Sequence, residues 1–229
     1  MEFNETHWSV ISAAAETKSP QAAAALETLC KLYWFPIYVY VRRRGYSAHD
    51  AQDLTQDFFA RIVRDNSFAR ADRSKGKFRS YLLGGLNHFL ADEWDKQRAQ
   101  KRGGGQVVWS LEAAEEKYSK IPSSGASPEK AFDQRWGLIL LERGVRRLKE
   151  ELKGEKKAMQ FEMLKDFLTN DPNPGAYEAI ARKLSLSVNR VAVTVFRLRQ
   201  RFRELLRAEL AQTVSNQADL DEELRHLFQ

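Results

Sequence analysis

Residues 177–203 read YEAIARKLSLSVNRVAVTVFRLRQRFR, and this stretch decides the fold. Tyr177, Ile180, Ala181 and Leu184 recur at helical spacing. Upstream, Asn173-Pro174 offers an N-cap followed by a proline at the first helical position. Ser185-Leu186-Ser187 breaks the run, and Ser187 can cap a second helix. There Val188, Val191, Val195, Leu198 and Phe202 share one face, while Asn189, Arg190, Val193, Thr194, Arg197 and Arg201 share the other. Helix, short turn and a second helix with a basic outer face make a helix-turn-helix, which places a helix in the DNA major groove. A plain surface helix with solvated arginines has the same local pattern, so the rest of the chain must discriminate.

The 229 residues leave room for one large or two small domains. The formal net charge is +6, which favours a polyanionic partner. The charge is unevenly spread: residues 31–102 hold 15 Lys+Arg against 8 Asp+Glu, and residues 177–210 hold 8 against 3. The first 30 residues and the last 19 are each −3. Two separate basic blocks predict two modules that both touch nucleic acid. The one cysteine, Cys30, sits in the apolar run LETLCKLYW and reads as a buried small hydrophobe. His7, His49, His88 and His226 lack ligand spacing, so no metal and no cofactor are expected. No signal peptide or membrane-length apolar run is visible, so a cytoplasmic protein without membrane insertion is expected.

The pattern is helical throughout, with no strand alternation. Thr6 can cap a helix through Ala15, and Pro20 starts another that Pro36 should kink and Gly45 ends. Residues 48–64 form a third, with Ala51, Leu54, Phe58 and Ile62 on its core face. A polar, basic loop spans 65–77, and a long helix runs from Phe78 to about Arg102. Three glycines and the run SKIPSSGASPEK then read as a flexible linker. The expectation is an all-α chain of two small helical domains, 1–102 and 131–211, joined by a linker at 103–130. An acidic tail at 212–229 follows, where Asp219 can cap a short helix carrying Leu220, Leu224, Leu227 and Phe228. Its charge predicts that it packs on the basic second domain and weakens DNA binding there.

Two stretches of the first domain narrow the reading. In DAQDLTQDFFARI (50–62) the carboxylates Asp50, Asp53 and Asp57 fall on one helix face beside Gln56, with Phe59 adjoining. Clustered carboxylates suit a divalent ion, a basic partner or simply a solvated helix N-terminus. In GKFRSYLLGGLNHFLADEWDKQRAQKR (76–102) aromatics interleave with basic residues. Exposed rings beside cations suit single-stranded DNA, whose bases stack while its phosphates meet charge. Phe78 and Phe89 share a stripe with Leu82 and Leu86 and read as core; Tyr81 and His88 lie off it. Gly84-Gly85 marks a close backbone approach or a weakly formed turn.

Taken in order, these motifs resemble a bacterial RNA polymerase sigma factor of the sigma-70 family, extracytoplasmic-function type, with regions 2 and 4 and no region 3. DAQDLTQDFFARI resembles region 2.2, and GKFRSYLLGGLNHFLADEWDKQR resembles regions 2.3 and 2.4. SPEKAFDQRW and residues 177–205 resemble the approach to region 4 and region 4.2. FNETHWSV, YWFPIYVYVRRRG and AQKRGGG are similar to one subgroup. The resemblance covers nearly everything except the tail.

It implies a non-enzymatic promoter-specificity subunit whose partners are core RNA polymerase, at its clamp and flap, and promoter DNA, with an anti-sigma factor as a candidate regulator. Asp50, Asp53, Gln56, Asp57 and Phe59 would meet the clamp. Phe78, Arg79, Tyr81, Asn87, His88, Arg98, Lys101 and Arg102 would lie along the single-stranded −10 element, where a flipped base is captured. Asn189, Arg190, Ala192, Val193, Thr194, Arg197 and Arg201 would read the −35 element as duplex. The sequence departs from the family at Tyr81 (usually Trp), His88 (usually Asn), Ala192 (often Arg) and Val193 (often Ser), which leaves the promoter sequence open. The alternatives are a stand-alone helix-turn-helix regulator, and a metal-dependent nuclease using Asp50, Asp53 and Asp57 or Asp92, Glu93 and Asp95.

Overall fold

A computed structural model describes residues 11, 14, 20–72, 76–99, 111–121, 125–152, 154–211, 213–214 and 217–228. Among these residues it is all-helical. The order is α1 (Pro20–Arg43), α2 (Ala48–Arg64), α3 (Phe78–Ala99), α4 (Leu111–Ser119), α5 (Pro128–Glu151), α6 (Glu155–Leu164), α7 (Ala176–Leu184), α8 (Val188–Ala211) and α9 (Gln217–Phe228). Single 3₁₀ turns cover Ser67–Arg70 and Lys165–Leu168. The chain divides into two compact units, 1–138 with 211–229, and 139–210. Thus the first unit extends beyond the expected boundary at 130 and also takes in the tail. No described helix is long and apolar enough to cross a membrane. The short helix expected from Thr6 to Ala15 lies largely outside the described residues.

In the first unit α1 is the central element. Tyr33, Ile37, Tyr38, Val39, Tyr40 and Val41 are all fully buried, and Pro36 sits inside the unbroken helix. Ser47 caps α2: its hydroxyl accepts from the Asp50 amide at 3.1 Å and donates to the Asp50 carboxylate at 2.7 Å. The predicted core face of α2 is buried at Ala51, Leu54, Phe58 and Ile62. Phe78, Leu82, Leu86 and Phe89 of α3 complete the core stripe. Tyr33 packs edge-on to Phe78 and stacks on Trp136, so the start of α5 belongs to this core. Burial pushes the half-buried Cys30 thiol up to about 11, with the Glu27 carboxylate adding to the shift.

Two stretches differ from expectation here. The segment read as a flexible linker contains α4, whose residues meet α1. Ala114 is buried, the Tyr38 hydroxyl donates to Glu115, and Arg42 reaches the same carboxylate at 2.8 and 3.3 Å. The Arg42 guanidinium also lies 4.6 Å above the Tyr118 ring. Burial raises the Glu115 carboxyl, but bonds from Arg42 and Tyr38 outweigh it and hold the group below its ordinary value. The sequence hid this because the contacts described for α4 are largely ionic and aromatic. The tail is the second case: α9 belongs to the first unit, not to the basic second module. It begins at Gln217, so Asp219 lies in its first turn, not at the cap.

The second unit has one core: Leu148, Phe161, Leu164, Leu168, Ala181, Val191, Val195, Leu198, Phe202, Leu205 and Leu206. α5 meets α8 at Gly144, where a Cβ would fall 2.8 Å from Phe202 Cε2 and 2.9 Å from Leu206 Cδ2. Gly→Ala in an open helix gains about 1 kcal/mol. Here the ring is locked in the core, so Gly144→Ala should instead cost about 1–3 kcal/mol through overpacking. A lower urea midpoint by circular dichroism would show it; a higher midpoint would mean that the contact yields freely.

Candidate nucleic-acid interface

Two surfaces gather the residues singled out above, one in each unit. The first is a half-open pocket of about 590 Å³ between α2 and α3, also lined by Asp65 and by Ser67 and Arg70 of the Ser67–Arg70 turn. Tyr81, Gly84, Gly85 and His88 line it from α3, three and four residues apart and so along one helix face. Phe58, Arg61 and Ile62 line it from α2. The Tyr81 ring is 37% exposed and stacks 6.1 Å from Phe78, while its hydroxyl donates to the Ser67 carbonyl at 2.6 Å. One bond therefore fixes both the ring and the turn that lines the pocket.

Gly84 and Gly85 sit in an unbroken helix. A Cβ on Gly84 would meet nothing within 4 Å, and one on Gly85 only ordinary contact with Phe58 at 3.8 Å. Neither a backbone approach nor a loose turn explains them; their missing side chains leave the pocket wall open. The cations differ in availability. Arg61 is tied to Asp92 at 2.8 Å and lies near Asp65. Arg70 donates to the neutral Ser67 hydroxyl at 2.9 Å, and no carboxylate pairs with it among the described residues. Arg70 lies inside the loop read as polar and basic, and was not singled out.

The other −10 candidates scatter. Phe78 is fully buried and Arg79 is 6% exposed, so neither can touch DNA in this conformation. Phe78 fills the core between Tyr33 and Phe68. Arg79 is enclosed by Asp133, Glu223 and the Trp136 ring. Asn87 is exposed, with its Oδ1 accepting from the Tyr40 hydroxyl at 2.7 Å. The backbone of Arg98 lies in α3, whereas Lys101 and Arg102 lie outside the described residues.

On α2, Asp50 and Asp57 are exposed and Asp53 pairs with His49 at 3.0 Å. The Gln56 Nε2 is buried and has no hydrogen-bond partner among the described residues. Phe59 departs from expectation: at 7% exposure it packs edge-on to Phe58 inside the core, because it sits one residue round from the acidic face. No group of His, Cys, Asp or Glu among the described residues is arranged to hold a metal ion. Asp50 caps α2 through Ser47, Asp53 meets His49 and Asp92 meets Arg61, each engaged separately.

The second surface is the outer face of α8. Ser185 ends α7 in the left-handed conformation at φ 53°, and the Leu186 amide returns to the Ala181 carbonyl at 2.9 Å. The Ser187 hydroxyl then accepts from the Arg190 amide at 3.2 Å, as its position predicts. The upstream cap differs: α7 starts at Ala176 behind Gly175 at φ 80°, so Asn173-Pro174 lies in the preceding turn. Asn189, Arg190, Val193 and Arg197 are exposed, and Ala192 and Thr194 are half-buried. Val188, expected inward, is 40% exposed.

Arg190 and Arg197 have no carboxylate partner among the described residues. Arg201 does: Glu151 meets it at 2.7 and 2.8 Å and Glu204 at 2.8 Å. It is a brace between α5 and α8, not a free cation. Arg199 likewise donates to the carbonyls of Phe167 and Asn170 at 2.6 and 2.7 Å. Phe196, 66% exposed, was missed. Its spacing was readable, three residues beyond Val193 and seven beyond Asn189 on the same face. No family model matches the chain, and neither a curated protein nor a solved structure matches it.

Proposed function

We propose that the chain is a promoter-specificity subunit of bacterial RNA polymerase, of the extracytoplasmic-function sigma type. The observation that carries the reading is the pocket lined by Tyr81, Gly84, Gly85 and His88. At about 590 Å³ it is within the usual range for small ligands, roughly 300–1,000 Å³. An aromatic ring, an imidazole and an unneutralised guanidinium at Arg70 suit a base with its phosphate. The helix-turn-helix, with Arg190, Arg197, Val193 and Phe196 outward, supports duplex reading by the second unit. Apolar Val193 and Phe196 favour thymine methyl groups over guanine edges there.

The acidic face of Asp50, Asp53 and Asp57, with Gln56 beside it, supports docking to a basic surface of core polymerase. In that reading Phe59 positions the face from behind. Asp53→Ala with Gln56→Ala should weaken binding to core polymerase by at least about tenfold, as expected when charged contacts are removed from an interface centre. Circular dichroism should stay unchanged. Wild-type co-purification with core would dismiss this face. A stand-alone regulator is separated by gel shift: it would bind specific duplex without polymerase, whereas the proposed subunit requires it.

A further inference from the structure

The grip of α9 on the first unit is more ionic than apolar. Leu220 is buried, but Leu224 and Leu227 are only half-buried. Glu223, by contrast, is fully buried. Arg79 Nη2 donates to its Oε2 at 2.9 Å, and Arg79 Nε lies 2.5 Å from Oε1. Lys77 Nζ lies 2.7 Å from Glu223 Oε2 and 3.4 Å from Glu222 Oε1. Asp133 closes the other side of Arg79 and in turn meets His226 Nε2 at 2.7 Å. The α9 carboxylates therefore sit against the N-terminal end of α3, where backbone N–H groups also favour an anion.

That end of α3 leads into the pocket: Lys77 is one turn ahead of Tyr81. A strand entering the pocket from that end of α3 would pass Lys77, which shares a helix face with Tyr81. A carboxylate held against a guanidinium and an ammonium meets the charges that would hold a phosphate. We infer that α9 is a built-in competitor of the nucleic acid, with Glu223 standing in for a phosphodiester on Lys77 and Arg79. Strand capture then requires α9 to leave. This rests on reading the pocket as a strand-capture site. A tethered segment competes at an effective concentration in the millimolar range, so weak contacts suffice to hold it. By linkage, whatever releases α9 raises affinity for the strand, and the strand promotes release of α9.

The test uses the full chain with Glu223→Gln, which keeps the shape and removes the charge. Fluorescence anisotropy with a labelled single-stranded oligonucleotide of about fifteen nucleotides reads the affinity. Glu223→Gln should bind at least about fivefold more tightly. Its affinity should also fall more steeply with salt, because more phosphates are contacted. A chain ending at Val214 should show the same gain, and a peptide of residues 215–229 added in trans should reverse it. Should the shortened chain not fold, hydrogen exchange on the full chain decides: oligonucleotide binding should expose the α9 amides. Unchanged affinity in Glu223→Gln, or unchanged α9 protection with oligonucleotide bound, overturns the inference. Tyr81→Ala separates it from the reading beneath. If Tyr81→Ala weakens binding while Glu223→Gln does nothing, the pocket stands and the competitor falls. If Glu223→Gln tightens binding while Tyr81→Ala does nothing, the strand binds at Lys77 and Arg79 alone, and both the pocket reading and its control by α9 fall.

Discussion

Phe202→Ala is expected to cost the 139–210 unit about 3–5 kcal/mol, the usual range for emptying a buried phenylalanine site. Phe202 is 3% exposed and its ring lies against Gly144 of α5. The space cannot be refilled from that side, because Gly144 has no side chain to move. A unit of about seventy residues has roughly 4–11 kcal/mol to lose, so about half its stability goes. The chain offers a clean readout. All five tryptophans precede residue 139, so their fluorescence follows the first unit alone, whereas circular dichroism follows both. Urea unfolding should show a circular dichroism midpoint displaced to lower urea and an unmoved fluorescence midpoint. If both move together, the units unfold as one and the division inside α5 has no energetic meaning.

On the proposed function, the largest functional effect is expected from Tyr81→Ala. The ring is the exposed aromatic wall of the pocket, and its hydroxyl ties α3 to the Ser67–Arg70 turn. Stacking of one base on an aromatic side chain contributes about 1–3 kcal/mol, or roughly 5- to 150-fold in strand affinity. Promoter opening by the reconstituted polymerase, followed by permanganate reactivity of unpaired thymines, should fall in that range. Tyr81→Phe divides the two roles: it keeps the stacking face and removes the bond to Ser67. It should retain most opening if stacking dominates. Loss as deep as with alanine would assign the effect to placement of the turn. An opening rate unchanged in Tyr81→Ala would remove the pocket from the mechanism.

Much of this molecule was legible because periodic burial leaves a strong trace. The faces of α2 and α8 followed from spacing alone, since Leu54, Phe58, Ile62, Val191, Val195, Leu198 and Phe202 are apolar and repeat with the helix. Two of the misreadings share a cause: single residues whose partners are distant in sequence. Arg79 reads as a surface cation until Asp133 and Glu223 are brought to it from residues far along the chain. Arg201 reads as free until Glu151 arrives from α5. Phe59 lies one position from an acidic face, where a 100° step decides between core and solvent. α4 was lost because it contributes hydrogen bonds and a ring to α1, and those have no period. Arg70 was passed over inside a loop whose place in the pocket wall depends on the Tyr81 bond.

The first unit is discontinuous: its final helix is made last. During synthesis, residues 139–210 emerge as one uninterrupted block and can fold without waiting. The first unit, by contrast, emerges early with Lys77 and Arg79 lacking their α9 partners. Domains generally fold as the chain is delivered, N-terminal parts first, so for a time the nascent protein has its pocket without Glu223. Under the inference above, a newly made molecule has Lys77 and Arg79 without Glu223 until α9 arrives, and a chain cut short ahead of Gln217 stays so.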